Sequence, residues 1–268
     1  MEPSGGSIKV LPGMIGSNGS ANLPIALFNP QSGKYNVSDI KLADRLPDDL
    51  PSDPMHWADA WLQEAQAAKV QRNPNSMTLS TVGPDARPTS RVVLCKDFVA
   101  EAGYLVFYTN YRSQKSIDMA ANPHVAALLH WDALGRQIRI EGTAVRSPAE
   151  ESDTYFASRD RGSQLGAWGS DQSETIESHA ALVEQIRQRA TDLGLALDAD
   201  SQVLADDDLP RIARPEHWGG FRLWASAVEL WIEGGNRVHD RARWQRDIVR
   251  ASENEFSTTP WCGVRLQP

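Results

Sequence analysis

The residues of this 268-residue chain that could do chemistry are mostly nitrogen donors, and they come in short clusters. The stretch GGNRVHDRARWQRD, positions 234–247, sets Arg237, His239, Arg241 and Arg243 at every second position. In an extended strand such residues share one face, so the spacing predicts a row of donors facing an anion. FYTNYRSQKS places Tyr108 and Thr109 at the end of a strand-like run, with Lys115 early in a helix that Ser113 can cap. Free N–H groups at a helix start, a hydroxyl and a lysine suit a phosphate. YFASRDRGSQLGAW puts Tyr155 and Arg159 four residues apart, as on one helix face, with Arg161 and Ser163 in a Gly-containing turn beyond. That set suits a second phosphate. In GRQIRIEG, Gln137 lies between Arg136 and Arg139; an amide both donates and accepts, which suits the edge of a heterocycle. SRVVLCK carries Arg91 and Lys96 at the ends of an apolar run. Taken singly, each segment also fits a capped helix or a solvated strand face.

These clusters sit in an acidic protein of net charge −8, so an anion site must be local. Nucleic acid held by bulk charge is not expected. Neither phosphate loop in common use, GxGxxG after a strand or GxxxxGK[ST], is present. The six histidines form no HExxH pair, no nucleophile elbow appears, and Cys95 and Cys262 stand in no CxxC pair. Zinc and hydrolytic chemistry therefore lack support, and no metal is expected. No apolar run is long enough to span a bilayer and no secretory signal is visible, so a cytoplasmic protein without a membrane partner is expected. What remains is a set of anion contacts spread along the chain and joined to aromatics. It suits a cofactor lying across strands.

The elements that must position these residues are strands following one another at hairpin distance, with a few helices between. Residues 1–50 are rich in Gly, Ser, Pro and Asn and read as a flexible extension, with 51–268 as one domain. The run from Asp53 and Pro54 opens a helix whose Trp57, Trp61, Ala65 and Ala68 share a face. SMTLSTV, TSRVVLCKDF, GYLVFYTN, HVAALLHW and RQIRIEGTAV read as strands, the last with Gln137, Arg139 and Glu141 opposite Ile138 and Ile140. SQKSIDMAAN and SPAEESDTYFASR read as helices; so does SETIESHAALVEQIRQRATDL, on the spacing of Ile176, Ala180, Val183, Ile186, Ala190 and Leu193. GGFRLWASAVELWIEGG, the cationic row and WCGVRL complete the chain as strands. The expected architecture is mostly antiparallel β, a sheet or barrel with flanking helices.

The segments SRVVLCK, FYTNYRSQKS, GRQIRIEG, YFASRDRGSQLGAWGSDQS, HWGGFRL and LWIEGGNRVHDRARWQR, in that order over roughly residues 53–268, resemble the pyridoxine (pyridoxamine) 5′-phosphate oxidase family. The resemblance implies an FMN-binding split β-barrel, a homodimer with FMN at the subunit interface, and oxidation of a phosphorylated B6 vitamer. Hydride would pass from the vitamer's 4′ carbon to flavin, and O2 would reoxidise the flavin to give H2O2. It implies that Arg91, Val92, Lys96, Tyr108, Thr109, Lys115, Gln137, Trp231 and Arg241 contact FMN, with Gln172 and Ser173 reaching it from the other subunit. It implies a substrate-phosphate pocket of Lys96, Tyr155, Arg159 and Ser163, and Arg237 and His239 as the catalytic pair over the pyridine ring. The chain departs from the family in having Gln114 before Lys115, where an arginine is usual; the lost charge implies either a lower FMN affinity or compensation by Arg112. A lid is implied near Lys34 and Tyr35, and insertions near 195–212 and 248–260. Two other readings are a sister flavin oxidase of the phenazine-biosynthesis branch, which needs no substrate-phosphate pocket, and a non-catalytic flavin or pyridoxal-phosphate binder.

Overall fold

The computed structural model describes residues 45–195, 197 and 211–268, and the backbone of a two-stranded ladder, β1 (Phe28–Asn29) with β2 (Lys34–Tyr35). Most of the N-terminal extension, and the acidic stretch 198–210, lie outside the described residues. Helix α1 spans Met55–Ala68, and Asp53 accepts a hydrogen bond from Met55 N at its start. Strands β3 (Ser76–Val82), β4 (Pro88–Leu94), β5 (Asp97–Val99) and β6 (Tyr104–Asn110) lead into α2 (Gln114–Ala121). Then come β7 (His124–Trp131), β8 (Arg136–Arg146), and helices α3 (Ala149–Ala157), α4 (Arg161–Gly169) and α5 (His179–Asp192). The chain closes with β9 (Trp218–Ile232), β10 (Asp240–Gln245), β11 (Ile248–Arg250), β12 (Phe256–Thr258) and β13 (Cys262–Leu266).

Nine strands form one antiparallel sheet whose main path runs β13-β10-β9-β8-β7-β3-β4. The 15-residue β9 organises it. One edge of β9 pairs with β8 from Phe221 to Ile232; the other pairs first with β6 through Trp218–Trp224, then with β10 through Ala227–Ile232. The sheet therefore splits along β9 and curls, helped by a bulge at Glu141/Gly142. Gly142 permits the bulge, since a Cβ there would lie 1.9 Å from Trp224 O.

The alternation in SMTLSTV and RQIRIEG sends Met77, Leu79, Ile138 and Ile140 inward, where they meet Met55, Ala58, Trp61 and Leu62 of α1. Burial of each such side chain is worth about 1.5–3 kcal/mol. Trp131 and Trp244 spend their indole N–H on Pro74 O and Pro51 O, both at 2.7 Å, so these bulky rings leave no donor unmet. A smaller cluster of Phe156, Leu165, Ala167, Ala190, Ile212 and Trp218 holds α3–α5 against the sheet.

Three expected elements differ. Helix α5 begins at His179, capped by Ser178, whose Oγ accepts from Ala181 N; Ile176 stays outside it and exposed. Helix α3 stops at Ala157, so Arg159 lies past its end rather than on its face. Ser163 belongs to α4, which Asp160 caps, not to a turn. The insertion after β10 is a hairpin, β11–β12.

Candidate active site

A cleft of about 910 Å3 opens between β4, the end of β6, α2, and the α3–α4 corner. Eleven of the sixteen residues singled out in the sequence line it: Arg91, Val92, Lys96, Tyr108, Thr109, Lys115, Tyr155, Arg159, Ser163, Gln172 and Ser173. At one group of cations, Lys115 is only 8% exposed, yet among the described residues it makes no ion pair. Its Nζ donates to Thr109 Oγ1 (3.0 Å), Ser113 Oγ (3.0 Å) and Gln172 Oε1 (3.1 Å). Burial, and then the charge of Arg91, lower its pKa to about 8. An ammonium held dry without a counter-ion is poised for an anion.

Arg91 leans the other way. It donates to Thr81 Oγ1 and Thr89 Oγ1 and lies 3.8 Å from Asp118. Burial works against the charged form of Asp118, but bonds from Thr81, Gln114 and Thr89, and the charge of Arg91, hold its pKa low. Gln114, in place of the usual arginine, donates to Asp118 Oδ1 at 2.8 Å. Arg112 is exposed and outside the cleft, so it does not replace that charge. Gln172 and Ser173 reach this group within their own chain, Ser173 Oγ accepting from Gln114 N, rather than only from another subunit. The segment after α4 lays them against the start of α2.

The second group is aromatic and cationic. Tyr108 and Tyr155 stack with centroids 3.9 Å apart, and Trp218 lies nearly parallel to both. The guanidinium of Arg159 sits over the Trp218 ring at 4.6 Å, and Lys96 lies 5.8 Å from the centre of Tyr155. Arg159 Nη1 is buried without a hydrogen-bond partner among the described residues. Burial lowers the Arg159 pKa, against the pull of Tyr155 and Asp160. A buried orphan donor of this kind calls for an acceptor.

Gln137, Trp231, Arg241, Arg237 and His239 stand apart from this cleft. Gln137, Trp231 and Arg241 are direct partners across β8, β9 and β10, a lateral row assembled from positions far apart in sequence. The row of four cations expected in positions 237–243 does not form as one strand face. Gly234 lies so close to Val238 that a Cβ would stand 1.6 Å from its O, and Asn236 and Arg237 adopt φ of +54° and +65°. The chain turns there, and β10 begins only at Asp240. Arg241 pairs with Glu229 and Arg243 with Glu141, both at 2.7 Å. His239 packs on Trp231, and its Nδ1 accepts from Gly234 N, which leaves Nε2 as the N–H donor. Arg136 points inward to Glu64 and Trp61, away from Gln137.

Trp218 was not singled out in the sequence, although HWGGFRL contains it; an apolar strand start reads as core. Asn110, Ser158 and Ser170 line the cleft as well. Among the described residues no group of His, Cys, Asp or Glu could hold a metal, and no helix is long and apolar enough to cross a membrane.

The curled antiparallel sheet, split along β9 with a donor-rich cleft outside it, is that of the split β-barrel proteins. Residues 62–191 match the family model described as pyridoxamine 5′-phosphate oxidase, and residues 218–268 match that of the pyridoxine 5′-phosphate oxidase C-terminal dimerisation region. The chain is 42% identical to a pyridoxine/pyridoxamine 5′-phosphate oxidase of Burkholderia vietnamiensis over 87% of its length and 95% of the relative's. It is 44% identical to one of Burkholderia cenocepacia over the same shares. Among solved structures it resembles PhzG from Burkholderia lata in complex with tetrahydrophenazine-1-carboxylic acid, with a TM-score of 0.65 and 29% identity over 82% of this chain and 95% of that one. The chain belongs to the pyridoxine/pyridoxamine 5′-phosphate oxidase family.

Proposed function

We propose that the protein is an FMN-dependent oxidase that converts pyridoxamine 5′-phosphate or pyridoxine 5′-phosphate to pyridoxal 5′-phosphate, with O2 as electron acceptor. The observation that carries this is one cleft with two cationic groups, each short of an acceptor among the described residues: Lys115 without a counter-ion, and Arg159 with a buried orphan N–H. Two phosphates, one from each reacting molecule, meet that demand.

The residues present fit FMN. Lys115, Arg91, Thr109, Ser173 and the start of α2 would hold its phosphate, with Val92, Lys96, Tyr108 and Gln172 beside it. Gln137, Trp231 and Arg241 would meet the ring. The chemistry a bound FMN supplies is acceptance of a hydride and its passage to O2, with H2O2 as product. The chain's task is to hold the two rings in register. Lys96, Tyr155, Arg159 and Ser163 fix the vitamer's phosphate. Arg237 and His239 lie over the pyridine ring, His239 offering its Nε2–H.

A homodimer is part of this reading. Residues 218 and 231 are thirteen positions apart on β9, about 40 Å of strand, so one protomer does not bring Trp218 and Trp231 to the same small molecule. A second copy lays its row over the first copy's cleft, and the matched dimerisation region contains Trp231, Arg237, His239 and Arg241. Two unpaired cysteines fit a reducing cytoplasm.

The likeness to PhzG favours a second reading, a flavin oxidase acting on a phenazine precursor. Oxygen consumption with pyridoxamine phosphate, pyridoxine phosphate and their unphosphorylated forms decides. Rapid uptake with the phosphorylated pair is expected. Uptake with none of the four, from a yellow FMN-loaded protein, would refute the B6 assignment, and a colourless protein that ignores added FMN would refute the cofactor.

A further inference from the structure

Glu229 lies in β9, two positions before Trp231, and is 3% exposed. A carboxylate so buried persists only if its charge is met. Each of its oxygens meets a different arginine. Oε1 accepts from Arg241 Nε at 3.1 Å and Nη2 at 2.7 Å; Oε2 accepts from Arg139 Nη2 at 2.6 Å. The two arginines are not equally dependent on it. Arg139 also lies 3.2 Å from Glu141, whereas among the described residues Glu229 is the sole carboxylate paired with Arg241. The remaining anchor of Arg241 is Nη1 donating to Gln267 O at 2.9 Å. A guanidinium has five N–H donors in a rigid fork. Among the described residues three are used, which leaves one on each terminal nitrogen for a ligand.

We infer that Glu229 is a positioning residue: by clamping one side of the Arg241 guanidinium it aims the two free donors at the bound flavin. The inference rests on the proposed flavin contact of Arg241. Glu229 touches neither flavin nor substrate; it acts through Arg241. Its second partner, Arg139, balances the carboxylate and ties β8 to the clamp. Loss of the carboxylate leaves Arg139 held by Glu141 but Arg241 held, among the described residues, by Gln267 O alone, a single bond about which its guanidinium can turn.

The test is a double-mutant cycle read in FMN dissociation constants, measured by quenching of flavin fluorescence on apo-protein. Four proteins are compared: the parent, Glu229→Gln, Arg241→Ala and the double variant. Glu229→Gln is expected to weaken FMN binding about tenfold in the parent and less than about twofold when Arg241 is already alanine. Glu229→Asp, which keeps the charge but withdraws it by one methylene, enters the same cycle and gives the same pattern even if the glutamine variant does not fold. Equal losses in both backgrounds would show that Glu229 serves the fold and not Arg241, and would overturn the inference. Loss in Arg241→Ala with none in either Glu229 variant would overturn it too, while leaving the flavin contact standing. Parent-like FMN affinity in Arg241→Ala would overturn the premise and the inference together.

Discussion

Lys115→Met removes a cation that the fold buries without a counter-ion among the described residues. In the parent, burial and then the charge of Arg91 lower the pKa of Lys115 from 10.5 to about 8, because the ammonium loses water on folding. Folded Lys115 holds its proton less tightly than the unfolded chain does. Between pH 8 and 10.5 the unfolded state therefore binds more protons, and stability of the apo-protein rises with pH across that window. Anion binding has the opposite slope: a phosphate beside Nζ favours the ammonium, so FMN affinity falls as pH rises through about 8. The methionine variant loses both slopes. At pH 7 its FMN affinity should drop by about 10- to 100-fold, the worth of a charge-assisted hydrogen bond of about 1.5–3 kcal/mol. Its apo-form should be no less stable than the parent, unlike most buried substitutions. Fluorescence titration with FMN at pH 7, 8, 9 and 10, beside thermal denaturation of apo-protein at the same values, measures both. Unchanged FMN affinity, or a pH slope that survives the substitution, would refute the assignment of Lys115 as the anion's partner.

Arg159→Ala should weaken binding of phosphorylated vitamers by about 10- to 100-fold and leave unphosphorylated ones nearly unchanged in steady-state kinetics; equal effects on both would remove Arg159 from a phosphate site. Gln114→Arg, which adds a charge where the cleft lacks one, should tighten FMN binding by about three- to tenfold by titration, and no change would place the phosphate elsewhere. Arg237→Gly should raise the melting temperature by a few degrees, since φ of +65° costs a non-glycine residue about 1 kcal/mol. The same variant should lose turnover far more than FMN affinity; parallel loss of both would argue against a substrate contact.

Much of the sheet was legible because its strands alternate. SMTLSTV marked β3 as a strand and RQIRIEG marked β8 with the correct faces: Gln137, Arg139 and Glu141 do share the outer one. Lys115 was legible as a helix-start donor, but its burial was not, because that depends on Gln172 arriving from 57 residues away. The row at 237–243 misled because alternation in sequence says nothing of a backbone that turns at Gly234 and Arg237. The carboxylates that absorb Arg241 and Arg243 come from β8 and β9 and are visible only once the register is known. Trp218 escaped notice for a similar reason: its neighbours Tyr108, Tyr155 and Arg159 come from two other segments.

Strand β9 carries Trp218 at one end and Trp231 at the other, and so serves two different reaction chambers in the proposed dimer. A chain damaged near Lys115 still has a sound row to lend, and one damaged at Arg237 still has a sound cleft. Mixed in one cell, two such inactive chains should restore one complete chamber in each heterodimer and none in either homodimer. Loss of function would then be a property of pairs of alleles rather than of either chain alone.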